Sequence, residues 1–126
     1  MIKQITISDT TFNVAMASAA NQRTVMNVIG KYVMSKALQL AAVGQRVDAD
    51  FIRGVLLSLP ESDLVKIHDL FMDKIVLAGE SQAIDIKFFQ GKIFTYYGLM
   101  AEVICFNLAD FFMWLDADLS AENPTE

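Results

Sequence analysis

The stretch YYGLMAEVICFNLADFFMWLD, Tyr96 to Asp116, decides how this chain is read. It is apolar enough to pass for a membrane span. Yet it carries Glu102, Asn107 and Asp110, and no basic residue follows it. Extended to Ile93–Leu115 it counts 23 residues, long enough to cross a bilayer. Energy argues against that reading. Each carboxylate would cost about 2.5–3.5 kcal/mol near the bilayer centre, with a smaller charge for Asn107. The far flank also lacks a basic anchor. A helix covered by protein is expected, and no membrane partner.

On a helical wheel at about 100° per residue, Thr95, Glu102, Asp110 and Asp116 fall on one narrow strip. The rest of the circumference is apolar, so most of this helix should be covered. Gly91, Gly98 and Cys105 sit seven residues apart. That spacing forms a lane of small residues where a neighbouring helix can approach closely. Phe106, Phe111, Phe112 and Trp114 exceed what three shorter helices readily bury. Each aromatic taken singly is ordinary core material; together their surplus marks a surface for another chain. Gly98, Phe106, Asn107, Asp110, Phe111, Phe112 and Trp114 are therefore the candidate self-association residues.

The whole chain points the same way. It has 126 residues, 54% of them hydrophobic, which suits one domain with apolar surface left to share. Net charge is −5 and unevenly placed. Residues 1–60 hold six basic and three acidic groups, whereas residues 93–126 hold six acids and no base. A basic half and an acidic end can attract head to tail. No basic cluster exists to neutralise phosphates, so nucleic acid is not expected as a partner. One cysteine, Cys105, excludes an internal disulfide. The opening MIKQITISDTT has no apolar run of signal-peptide length, so a cytosolic compartment is expected.

Local patterns supply the remaining elements. IKQITIS and TFNVAM alternate around SDTT, as in two short strands or a hairpin. An exposed strand edge there would offer a route to self-association. Met26, Ile29, Val33, Ala37 and Leu40 recur at helical spacing, and Gly44 stops that helix. Asp48 or Asp50 caps a short helix over FIRGVLLS. Ser58 and Glu61 have capping-box spacing for a third helix. Its stripe is Leu64, Ile67, Phe71, Ile75 and Ala78, ended by Gly79. ESQAIDI connects, as a turn or short strand, to one long helix running from about Lys87 or Lys92 to Asp116. The expected fold is mainly α: one helical domain over residues 1–118 with about four helices and a short N-terminal β-hairpin or arm over residues 1–16. A flexible acidic tail spans 119–126.

Catalytic constellations are missing from this pattern. His68 is the one histidine and has no Cys/His cluster near it, whereas zinc needs three or four ligands. Cys105 lies in an apolar run with nothing basic nearby to favour a thiolate. Glu102 and Asp110 lie two turns apart, without a nucleophile, oxyanion donor or metal set. GESQA and FFQGK lack the residues of a phosphate loop. Neither an enzyme nor a cofactor is expected.

EVICFNLADFFMWLD resembles the C-terminal helix of tail assembly chaperones from long-tailed, lambdoid-type bacteriophages (siphoviruses). Those helices read roughly apolar-apolar-x-Asn-aromatic-x-Asp-Phe-aromatic. Asn107, Asp110, Phe111 and Phe112 match; Leu108 stands where an aromatic is commoner. The likeness covers most of the chain loosely, through its size and order of elements, and one short motif closely. The resemblance implies a homo-oligomer that coats the hydrophobic tape measure protein in the host cytoplasm until tail tube subunits displace it. It implies absence from the mature virion. It also implies a longer, ribosomally frameshifted form whose extra domain recruits the tail tube protein. The other reading of the same features is a small helical adaptor that dimerises through its last helix.

Overall fold

The computed structural model describes residues 1–44 and 47–122. It is 65% helical, with a small antiparallel sheet at its N-terminal side. Strand β1 (Ile2–Ile7) turns at Ser8–Asp9 into β2 (Thr10–Ala15), pairing Ile7 with Thr10 and Ile5 with Phe12. Ser8 takes φ +56°, a left-handed conformation usually given to glycine. The hairpin therefore forms without an Asn-Gly or Asp-Gly signal. Side chains alternate as a half-buried sheet requires. Ile5, Phe12 and Val14 point into the core, while Thr6 and Thr11 pair their hydroxyls at 2.9 Å on the exposed face. Residues 1–16 thus pair within the chain.

Helix α1 (Ala19–Ala42) buries Val25, Ile29, Val33 and Ala37 and ends before Gly44, whose φ is +75°. Helix α2 (Ala49–Ser58) is capped by Asp48, which accepts a hydrogen bond from Phe51 N–H at 3.0 Å. Helix α3 (Glu61–Phe71) departs from the capping-box expectation. Ser58 is the last residue of α2, and its Oγ donates to Gly54 O at 2.9 Å. That hydroxyl is engaged by the carbonyl it can reach one turn back. Pro60 stands at the start of α3 with no side-chain cap.

The stripe expected to run on through Ile75 and Ala78 also breaks. After Phe71 comes a 3₁₀ turn, Met72–Lys74, and then strand β3 (Ile75–Leu77). β3 lies antiparallel against β2 and completes the sheet order β1-β2-β3. Ile75 and Val76 are β-branched and favour a strand, and the free edge of β2 offers them hydrogen bonds. Gly79, at φ +86°, serves the turn after this strand rather than a helix end. In the connector, Val76 bridges Ala83.

The expected long helix is two helices. A 3₁₀ turn (Ile86–Phe89), capped by Asp85, and Gly91 at φ +78° precede α4 (Ile93–Asn107). Helix α5 (Ala109–Glu122) follows after Leu108, bent by 80° from α4. Among the described residues no single helix is long and apolar enough to cross a membrane; α4 and α5 reach that length only when added across the bend. α4 is greasy because it is the central element. It packs against α2 and β1 and buries Tyr96, Leu99, Met100, Val103 and Ile104. α5 continues through Glu122, into the stretch expected to be a tail; residues 123–126 lie outside the described residues.

Candidate self-association surface

Asn107 makes the bend. It is 5% exposed, and all its polar atoms are engaged. Its Nδ2 donates to Val103 O at 2.9 Å. Its Oδ1 accepts from Ala17 N–H at 2.9 Å and from Gln22 Nε2 at 3.2 Å. A side-chain amide bonded to the carbonyl four residues back competes with the helical ladder. The ladder reaches Leu108 N–H on Ile104 O (2.9 Å) and resumes with Phe112 N–H on Leu108 O (3.1 Å). The other end of the amide grips the backbone where the hairpin hands over to α1. Asp110 follows in the first turn of α5, exposed, with Phe111 N–H donating to its Oδ1 at 2.7 Å. A carboxylate there meets the positive end of the helix dipole. The motif of Asn107 and Asp110 is therefore a helix break followed by a helix start.

The bend sorts the aromatics. Leu108 and Leu115 are buried and, with half-buried Phe112, turn α5 toward α1 and the end of α4. Phe111 stacks on Trp114, ring centroids 6.0 Å apart, on the adjacent side. Trp114 is 52% and Met113 73% exposed. Phe106 is half-buried beneath the Lys3 ammonium, 5.9 Å from its ring. Met113 and Trp114 thus form an open apolar face, with Phe111 and Phe112 half-buried against the core beside them. Glu102 and Asp110, read from the wheel as one strip, belong to different helices.

Comparison with protein-family models, curated proteins and solved structures finds no match to this chain.

The small-residue lane does not extend along one helix, because Gly91 lies in the turn before α4. Gly98 is buried, and a Cβ placed on it would meet Ile7 Cγ2 at 3.7 Å and Arg53 Nη1 at 4.0 Å. Its neighbours are β1 and α2 of the same chain, at ordinary contact distance. Gly98→Ala should therefore raise stability by about 0.5–1 kcal/mol, the usual gain in a helix interior, and leave association unchanged. Urea unfolding and light scattering on the same sample check both halves; a destabilised protein would mean closer packing at Gly98 than this.

Cys105 is partly buried, and that burial, reinforced by Glu102 and Asp48 and opposed by Lys3, pushes its thiol up from 9.0 to about 12. Tyr96 is raised from 10.0 to about 12, first by burial and then by Tyr97 and Asp69. Its hydroxyl lies 2.9 Å from His68 Nδ1. Both folded-state values are raised, so their contribution to stability is complete below pH 9 and is lost between about pH 9 and 12. A pH series of urea midpoints should fall across that window. Iodoacetamide at pH 8 should label Cys105 slowly in the folded chain and rapidly in urea; equal rates would contradict the burial.

Proposed function

We propose that this protein is a tail assembly chaperone of a long-tailed phage. It self-associates and coats the hydrophobic tape measure protein until tail tube subunits polymerise around it. The observation that carries this reading is the motif Asn107–Phe112. Asn107 breaks the apolar C-terminal segment, and Met113 and Trp114 lie outward on α5 beyond the break. A chaperone for a long helical client needs apolar surface for the client and for its own copies. It also needs repulsive charge to keep coated complexes apart. Release favours many modest contacts over one deep pocket. The open face and the excess of acids over residues 93–126 suit those needs. The host cytoplasm is where such a factor works, and a frameshift-extended form would bring the tail tube protein.

Coexpression with the phage's tape measure protein tests the reading. The client should stay in the soluble fraction with this chain and copurify with it, and it should aggregate with the Trp114→Asp variant. A client equally insoluble with and without the wild-type chain would leave the adaptor reading, in which α5 only dimerises.

A further inference from the structure

The sheet has two edges, and they are finished differently. β3 forms one edge, and the connector after it covers that side. Val76 bridges Ala83 there, and Ile84 N–H donates to Ile75 O at 3.0 Å. β1 forms the other edge. Across the hairpin, Met16 N–H donates to Met1 O at 2.9 Å. Backbone groups alternate in direction along an antiparallel strand. Met1, Lys3, Ile5 and Ile7 therefore turn their backbone polar groups toward β2, and Ile2, Gln4 and Thr6 turn theirs away from it. Among the described residues those outward groups have no backbone partner.

A bare edge is normally blunted by a proline, a bulge, a covering segment or a charge. β1 has no proline, and its register with β2 runs from Ile2 to Ile7 without a bulge. Its one charge, Lys3, is held on the α4 side of the sheet, 5.9 Å from the Phe106 ring. The side chains of Ile2, Gln4 and Thr6 are exposed and uncharged. Such an edge is complementary to itself. Two copies of β1 related by a two-fold axis run antiparallel. An axis at Gln4 sets Gln4 opposite Gln4, and Ile2 opposite Thr6 of the other copy. Every outward residue then exchanges two hydrogen bonds with the one opposite. An axis at Lys3 or at Ile5 leaves Thr6 or Ile2 without a strand partner, and the first also sets Lys3 against Lys3. With the axis at Gln4, Lys3 meets Ile5 of the other copy, and no like charges face each other.

We propose that β1 pairs with β1 of a second copy across a two-fold axis at Gln4, so that two three-stranded sheets join into one. Both copies use the same edge, so the contact closes as a dimer and does not propagate. It involves no residue of α5. It deepens the chaperone reading and rests on it for purpose, since a coat would then be laid down in pairs. The contact itself is tested on the purified chain alone.

A parent chain carrying Trp114→Asp, which silences the α5 face, reads this contact by itself. Light scattering over a concentration series should show a monomer–dimer equilibrium. Adding Gln4→Pro should weaken it at least about tenfold, the equivalent of two lost hydrogen bonds at their usual net worth. The Gln4 N–H points away from β2, so proline there spares the hairpin, and circular dichroism confirms the fold. Gln4→Lys and Gln4→Glu test the register without touching the backbone. Each alone sets like charges opposite and should dimerise more weakly than the parent, whereas an equimolar mixture should regain the parent's affinity. Amide exchange at Gln4 and Thr6 should slow as the dimer forms. Four results overturn the contact: a parent chain monomeric at every concentration, Gln4→Pro dimerising like the parent, a mixture no tighter than its two components, or a dimer whose Gln4 and Thr6 amides exchange as fast as the monomer's. A chain that pairs through β1 but, as wild type, fails to keep the tape measure protein soluble would leave this contact standing and sink the chaperone reading. The converse result would sink the contact alone.

Discussion

Asn107→Ala should lower the free energy of unfolding by about 2–3 kcal/mol. The side chain is buried, and it alone satisfies the Ala17 N–H at the junction between β2 and α1. Its loss strands that donor in the interior, and an unsatisfied buried donor costs about 1–3 kcal/mol. The Gln22 amide loses its partner as well, and the Val103 carbonyl loses one of its donors. Asn107→Leu sharpens the test, because it restores volume without restoring hydrogen bonds. It should recover little of the loss. Urea unfolding followed by circular dichroism reads both variants. A leucine protein as stable as wild type would show that Asn107 only fills space, and the bend would need another cause. Association should also change in the alanine protein, since freeing the break allows α4 and α5 to straighten and redirects the Met113–Trp114 face.

Phe12→Ala should cost still more, about 3–5 kcal/mol, the range for a fully buried phenylalanine. Phe12 sits on the central strand, completely buried, opposite Ile5 on one side and Leu77 on the other. Its ring stacks on Phe89 and meets Phe88 edge-on, with centroids 6.2 and 6.0 Å apart. Phe89 in turn contacts Tyr96 on α4. One ring thus joins the sheet, the connector and the central helix, and none of the three can close over the cavity without moving the others. Domains of this size hold about 5–15 kcal/mol in total, so the variant should melt far below wild type. A loss under about 1 kcal/mol in a thermal or urea melt would mean that the aromatic cluster relaxes freely.

Nearest-neighbour chemistry made much of this fold legible. The 3–4 spacing in α1 marks Ile29, Val33 and Ala37 as buried, although Val25 is buried in place of half-buried Met26 and Leu40 is half-buried, and Gly44 ends the helix in the left-handed conformation expected of a helix stop. Asp48 caps α2 because an aspartate before a helix can reach the third N–H along. Alternation over residues 2–15 marks the hairpin. In each case the deciding interaction lies within a few residues of the one it explains.

Two features answered to distant partners instead, and a third to a choice between two local ones. Ile75–Leu77 continued a helical stripe on paper but became a strand, because β2 had an unpaired edge that only the folded chain brings beside it. Ser58 had cap spacing, yet its hydroxyl went to Gly54. The apolar run from Ile93 to Leu115 carried no proline or glycine at its break. An asparagine inside a helix can take either arrangement. Asn107 breaks this one because Ala17, ninety residues away in sequence, supplies the donor for its oxygen. Local pattern therefore determined most of the helical segments, where several of them stop, and that apolar surface is in excess. Tertiary contact decided where the greasy segment bends, and with it which aromatics are core and which remain on the surface, because that choice depends on a hydrogen bond no local window contains.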